Sequence, residues 1–352
     1  VSRSSVLAAA ALAVAAFAGS PAGASGEASR DAGAAPEAAR EMLAIRFHEY
    51  GGPDRLRLER VPVPVPGPGQ VLVEVHAASV NPIDWKLREG EARNWWPLQL
   101  PSIPGRDAAG VVRAVGEGVS DWRVGDEVVA VTGSASQGSY AEYVVVPAAD
   151  VGRKPSNLTF VEAASYPVVA LTAWIAVRLA EIGPGDTLLV HGGSGGVGSF
   201  VVQLATMRGA RVIATASARN HEAVKQLGAV QAIDHRTTRF EDVVRDVDAV
   251  IDTVGTETLA RSAGVLERRG RLVGMSGRLP ADACRARALE CRYVDAANED
   301  GALAALAQLF EQGKLRVRVD RVFTLADAAA AQEANRAGGG LGKIVVRVRD
   351  GG

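Results

Sequence analysis

The sequence predicts an α/β chain in which an all-β, barrel-like module precedes a doubly wound parallel sheet. Three observations predict it. Residues 188–190 form a short apolar run of strand type, Gly193-Ser194-Gly195-Gly196-Val197-Gly198 fits G-x-G-x-x-G, and Phe200, Val201, Val202, Leu204 and Ala205 follow at helical spacing. Before about residue 160 the chain reads as short strands with turn glycines, and beyond it strands alternate with helices. Two strand-like runs at residues 317–323 and 343–348 come last, and they are expected to return to the first module.

In order, residues 42–47 read as a strand and residues 50–54 as a turn. Residues 61–66 alternate Val and Pro, which excludes helix and central strand. QVLVEVHA at residues 70–77 has the period of a half-buried strand, and residues 81–85 turn the chain into a short helix where Asp84 and Lys86 are expected to face a cleft. Further strands are expected at residues 108–115, 124–129 and 140–146. Helical spacing over residues 160–180 is interrupted at Pro167. Strands then fall at residues 187–190, 211–215, 232–234, 249–252 and 270–274, with helices at 198–208, 221–227, 240–245 and 257–266.

Composition narrows the function. The 352 residues suffice for two modules, and 39 Lys plus Arg against 40 Asp plus Glu give no electrostatic reason for a nucleic-acid partner. Cys284 and Cys291 form no C-x-x-C pair, which argues against a disulfide framework and a four-cysteine zinc loop. His48, His76, His191, His221 and His235 show no metal-ligand spacing and read as surface or loop residues, so no metal is expected.

Arg3, an Ala-rich apolar run at 6–19 and Ala22-Gly23-Ala24 resemble a secretory signal, too short to span a membrane. Residues 25–41 read as a linker. In the competing reading the start is mis-set and Met42 opens the chain. The first reading implies a periplasmic or secreted protein, the second a cytoplasmic one. The cytoplasm is the favoured location, and no membrane partner is expected.

A Cβ on the glycine loop would keep a pyrophosphate from the backbone N–H groups. Gly195 and Gly196 allow close approach, Gly198 lets helix and strand pack, and the helix N-terminus supplies unpaired donors. The alternative is a glycine-rich turn without a ligand. About 20 residues on, an NAD site carries an acid for the ribose 2′-hydroxyl. Here the chain reads Thr215-Ala216-Ser217-Ala218-Arg219-Asn220, without an acid. Ser217 and Arg219 suit a 2′-phosphate and hence NADP(H). The alternative is a plain helix start capped by Ser217 or Asn220.

Ala114-Val115-Gly116-Glu117-Gly118-Val119, Val124-Gly125-Asp126-Glu127-Val128, Leu171-Thr172-Ala173-Trp174 and the glycine stretch, in this order, resemble the medium-chain dehydrogenase/reductase superfamily. Asn81-Pro82-Ile83-Asp84 and Ile251-Asp252-Thr253-Val254-Gly255 are similar to its zinc-free quinone oxidoreductase branch. The resemblance covers residues 42–349. It implies a GroES-like β-barrel catalytic domain at 42–165, completed by 315–349, and a Rossmann domain at 166–314, with the active site in the cleft between them. Where zinc-dependent members carry Cys and Gly-His-Glu, this chain has Asn81-Pro82-Ile83-Asp84 and Pro104-Gly105-Arg106-Asp107.

The resemblance implies hydride transfer from NADPH to a small electrophile, a quinone or an enone, by a homodimer. Asn81 is then a donor to the substrate oxygen. Asp84 orients its neighbours or binds a ribose hydroxyl, and Lys86 adds charge near the oxyanion, although many relatives carry Tyr there. The alternative for Asn81 and Asp84 is a turn and a helix cap. Carried over as cofactor contacts are Thr172, Gly193, Ser194, Gly195, Gly196, Val197, Gly198, Thr215, Ser217, Arg219, Val254, Gly255, Met275 and Ser276. Trp95, Trp96 and Tyr166 line the substrate pocket or pack in the core. Lys343 has no role legible in sequence. A second function class is an NADPH-binding structural or regulatory protein with little catalysis.

Overall fold

The computed structural model describes residues 40–349, apart from residues 95, 134–136, 256 and 295–300. The signal-like run, the linker as far as residue 39, and Trp95 lie outside the described residues. β1 (Glu41–Arg46) and β2 (Arg57–Pro62) pair antiparallel, so the first strand takes in Glu41, one residue earlier than expected. After Pro62, Pro64 and Pro66 cannot donate to a ladder, and the strand ends there. β3 (Gln70–Ser79), α1 (Pro82–Glu89), β4 (Asp107–Val115), β5 (Glu127–Val131), β6 (Tyr143–Pro147) and β7 (Val151–Arg153) complete the β-rich part. β3 is the hub: it pairs antiparallel with β4 along its length and with β6 through residues 70–74.

α2 (Phe160–Ala164) starts on a reciprocal cap, with the Glu162 N–H donating to Thr159 Oγ1 at 3.2 Å and the Thr159 N–H to Glu162 Oε2 at 2.9 Å. α3 (Pro167–Leu179) begins with Pro at its first position, where no N–H is needed, so the Pro167 interruption is a boundary between two helices. Then follow β8 (Thr187–His191), α4 (Gly196–Met207), β9 (Arg211–Ala216), α5 (His221–Gln226), β10 (Gln231–Asp234), α6 (Phe240–Val243), β11 (Val247–Asp252), α7 (Glu257–Ser262), β12 (Leu266–Gly274), α8 (Ala281–Ala286) and β13 (Glu290–Tyr293). All six strands are parallel in the order β10-β9-β8-β11-β12-β13, the doubly wound arrangement whose switch point lies between β8 and β11.

α9 (Ala302–Glu311), β14 (Val319–Thr324), α10 (Ala328–Ala337) and β15 (Lys343–Arg347) close the chain. β15 pairs antiparallel with β3 through Val345, Val346 and Arg347, and β14 pairs parallel with β15. The last strands thus return to the first sheet, as expected. One apolar core joins the two sheets, running from Ala77, Ala109 and Val345 through α3 and α4 to Val190 and Ile251.

Four expectations are corrected. The helix expected over residues 257–266 stops at Ser262, and Leu266 already belongs to β12. α8, α9 and α10 have no counterpart in the sequence reading. Cys284 and Cys291, on α8 and β13, form a disulfide across seven positions because the helix-to-strand turn brings their Cα atoms to 6.2 Å. His191 is buried at the end of β8 rather than on a surface loop. Among the described residues no helix is long and apolar enough to cross a membrane.

Candidate active site

Two cavities meet at Thr253 and Val254, which line both. The first, of 660 Å³, lies over the ends of β8, β9 and β10. The second, of 530 Å³, has walls from α1, α3 and the loop after β12.

The glycine turn shapes the first cavity. Gly193 donates to the Thr215 carbonyl at 2.9 Å, and a Cβ there would stand 2.7 Å from the Ala214 Cβ. A Cβ on Gly198 would fall 2.2 Å from the Gly192 oxygen, so only glycine lets α4 sit this close to β8. Gly195 caps α4 without a side-chain hydrogen bond, which leaves the first-turn N–H groups open to an anion. Ser194 and Gly195 line this cavity, and Val197 lines the second. Gly193, Gly196 and Gly198 line neither and act through packing, Gly196 by leaving room for the Lys343 stem 3.0 Å from where its Cβ would be.

Thr215 lines the wall and pins the turn, its Oγ1 accepting the Gly192 N–H at 3.1 Å. The same hydroxyl meets His191 Nδ1 at 3.3 Å, and His191 Nε2 meets Ser262 Oγ at 3.1 Å. Burial pushes the His191 pKa down to about 4, so at neutral pH it is an uncharged bracket rather than an anion binder.

Ser217 is buried in this cavity wall with its Oγ 3.3 Å from His235 Nε2. Arg219 does not line the cavity; it donates from outside to the carbonyl of Gly339, and Gly339 does line it. The cations on the cavity wall are Arg236, Arg239 and Arg261. Arg261 is engaged by Glu241 and Glu257; Arg236 and Arg239 lie exposed on the loop after β10, Arg239 with a looser ion pair to Glu241 at 3.7 Å. Sequence reasoning missed His235, Arg236 and Arg239. The pairing of Asp234 with Ala216 carries the signal: in neighbouring parallel strands, whatever follows β10 comes beside Ser217.

The second cavity collects Asn81, Lys86, Thr172, Val254, Met275 and Ser276. Gly255 lies behind them at φ 92°, where a Cβ would stand 2.6 Å from the Ser276 oxygen. Buried Asp252 fixes this loop by accepting the Val254 and Gly255 N–H groups at 2.7 and 2.8 Å.

Asn81 is held at both ends of its amide. Lys343 Nζ donates to its Oδ1 at 2.7 Å, and its Nδ2 donates to Asp107 Oδ2 at 2.7 Å. An ammonium only donates and a carboxylate only accepts, so the amide cannot be turned over. Asp107 also accepts from Ser79 Oγ at 2.6 Å and the Val168 N–H at 2.7 Å. Lys343 is buried, and that burial lowers its pKa.

Asp84 stands away from the second cavity, fully enclosed by the protein, because its Oδ2 turns back to accept the Asn81 N–H at 2.8 Å and the Tyr140 hydroxyl at 3.1 Å. Burial lifts its pKa to about 7. Lys86 lines the cavity with its Nζ 5.5 Å from the centre of the Trp85 ring. Of the two readings open for Trp96, cavity wall or core, the structure gives the wall. Tyr166 does not: it is buried against Phe310, ring centres 4.5 Å apart, because it starts α3 facing the core.

Residues 67–156 match the alcohol dehydrogenase GroES-like domain, and residues 227–346 match the zinc-binding dehydrogenase family. The chain is 36% identical over 321 residues to an NADPH-dependent alkenal/one oxidoreductase of Arabidopsis thaliana, covering 87% of this chain and 80% of that protein. The chain belongs to the medium-chain dehydrogenase/reductase superfamily. A quinone oxidoreductase of Sus scrofa, another relative, is 34% identical over 313 residues, 83% of this chain and 93% of that one. Among solved structures, the quinone oxidoreductase from Coxiella burnetii superposes with a TM-score of 0.82 at 36% identity, covering 88% of this chain and all 100% of that one. A mycobacterial protein complexed with NADPH gives 0.79 at 32% identity, over 87% and 100%.

The zinc of other members of this superfamily does not fit here. At the two ligand positions stand Asn81, whose amide is already engaged, and Arg106, a cation. Lys343 puts a second positive charge beside Asn81.

Proposed function

We propose that this chain reduces quinones or α,β-unsaturated carbonyls with NADPH and without zinc. One observation carries the reading: a cavity with Arg236, Arg239 and Arg261 in its wall adjoins, across Thr253 and Val254, a mainly apolar one with Asn81 in its wall. The names of the relatives, alkenal/one and quinone oxidoreductases, support the acceptor class.

The open N–H groups at the start of α4 suit the pyrophosphate. Ser217, His235, Arg236 and Arg239 suit the 2′-phosphate, and Arg219 supports that wall by holding Gly339. Thr172, Val197, Val254, Met275 and Ser276 flank the nicotinamide end. When bound, the cofactor supplies a hydride to the acceptor. Asn81 donates to the acceptor's carbonyl oxygen through the amide hydrogen that Asp107 leaves free. Asp84 works one step behind, holding the Asn81 backbone, and Lys86 adds positive charge at the cavity wall. Ile83, Val131, Leu171 and Val294 exclude water.

Purified protein with 1,4-benzoquinone or an enone tests this by loss of NADPH absorbance. Turnover faster with NADPH than with NADH, and untouched by EDTA, is expected. Fluorescence quenching by NADPH without turnover would instead support the non-catalytic alternative.

The same family resemblance supports a homodimer, which sedimentation of the purified chain checks. The NADPH requirement supports a cytoplasmic site of action. The Cys284–Cys291 bond favours an oxidising compartment instead. Alkylation of free thiols in intact cells decides between them.

A further inference from the structure

The second cavity contains a cation that the proposed cofactor contacts leave unused. Arg106 follows the loop Ile103-Pro104-Gly105 and opens the way into β4. It lines the 530 Å³ cavity together with Asn81. Its guanidinium lies over the Trp96 ring, 4.4 Å from the centroid. Among the described residues its side chain makes no hydrogen bond and no ion pair, and its Nε is sealed from solvent without a partner. The carboxylates that act on it through space are Asp84, Asp107 and Asp150. Asp107 is taken by Ser79, Asn81 and Val168, and Asp84 by Asn81 and Tyr140. A largely enclosed cation with no carboxylate in contact costs free energy, and a ligand that brings negative charge relieves that cost.

We propose that Arg106 is a catalytic residue that binds the acceptor's carbonyl oxygen together with Asn81 as that oxygen becomes an enolate or hydroquinone anion. The assignment rests on the reductase reading above. The acceptor gains one hydride from the reduced cofactor, its displaced electron pair settles on the oxygen, and a solvent proton completes the product. Arg106 gains and loses no proton; it supplies fixed charge and N–H donors. The neutral ground state draws on that charge weakly and the anionic transition state strongly, which is what accelerates a reaction. Stacking on Trp96 holds the guanidinium plane, so little reorganisation is needed.

Arg106→Met and Arg106→Lys test the proposal by two readouts. The first is kcat/KM with an enone: Arg106→Met lowers it by about a hundredfold, the order seen when an oxyanion donor is removed, and Arg106→Lys recovers most of the loss. The second needs no turnover. 4-Nitrophenolate, an anion of the right shape, is titrated into NADP+-loaded protein beside neutral nitrobenzene. Arg106→Met weakens the phenolate by about tenfold or more and leaves nitrobenzene unchanged, the mark of one lost charged hydrogen bond. Equal weakening of both ligands, or an undiminished kcat/KM, overturns the proposal. If Arg106→Met fails to fold, wild-type protein that prefers nitrobenzene to the phenolate overturns it as well. Wild-type protein inert towards every quinone and enone would sink the reductase reading, while the phenolate titration still decides the role of Arg106.

Discussion

Replacing Asp84 with Asn is expected to change how the stability of the chain depends on pH. The carboxyl is fully enclosed, and burial is the largest influence lifting its pKa from 3.8 to about 7. Asp107 lifts it further, while the Asn81 N–H, Lys343 and Arg106 pull it down. Its Oδ1 has no partner, so a proton there displaces nothing. A pKa raised this far means that the folded chain holds the proton about 4 kcal/mol more tightly than the unfolded chain. Below about pH 4 both states are protonated and the group adds no slope. Between about pH 4 and 7 the unfolded chain releases the proton and the folded chain keeps it, so stability falls as pH rises. Above about pH 7 both are ionised and the slope ends. Asn at this position cannot ionise, and its oxygen still accepts from Asn81 and Tyr140. Urea unfolding of both proteins at pH 5 and pH 8 is the assay. The variant should gain on wild type by about 3 kcal/mol across that interval. Parallel profiles would refute the argument, because they would show that Asp84 keeps an ordinary pKa in the folded chain.

Three further outcomes are expected. Gly198→Ala drives a Cβ towards the Gly192 oxygen, so NADPH binding read by Trp fluorescence should weaken by about five- to a hundredfold, roughly the 1–3 kcal/mol of an overpacked contact. Arg236→Ala combined with Arg239→Ala should raise the KM for NADPH by about ten- to a hundredfold and leave that for NADH unchanged, as the loss of charged hydrogen bonds predicts. Lys343→Met strips Asn81 and Asp107 of a buried cation. Unfolding in urea should show a loss of about 3–5 kcal/mol, and kcat should fall with it.

Much of this architecture was legible because its signals are local. The glycine turn, the apolar run of β8 and the helical spacing of α4 lie within 20 residues of one another, and each fixes its neighbour's conformation. α7 was misjudged because apolar spacing continues through Leu266, although the chain has already turned at Gly264. Lys343 gave no signal because its partners Val80 and Asn81 are 263 and 262 positions away. Arg106 was legible only as a missing metal ligand; its contact with Trp96, ten residues earlier in the same α1–β4 connection, depends on how that connection folds back. Asp84 and Asn81 have the spacing of a helix cap and are one, yet Asn81 also reaches the cavity because Lys343 and Asp107 take hold of its amide.

The position of β15 governs the order in which this protein can be made. Lys343 seals against Val80, Gly342 donates to the Ser194 carbonyl at 3.1 Å, and Val345 and Val346 fill the free edge of β3 beside Ser79 and Ala78. On a ribosome adding about 5–20 residues per second, the 263 positions between Val80 and Lys343 take roughly 15–50 s to emerge. Once β6 has covered residues 70–74, residues 77–79 on the same edge of β3 stay unpaired until β15 emerges, a short bare template for another strand. The nascent chain therefore carries this unpaired stretch for as long as β15 is missing. Shielding of that edge, by a chaperone or by the neighbouring nascent segments, is what the topology demands of the cell.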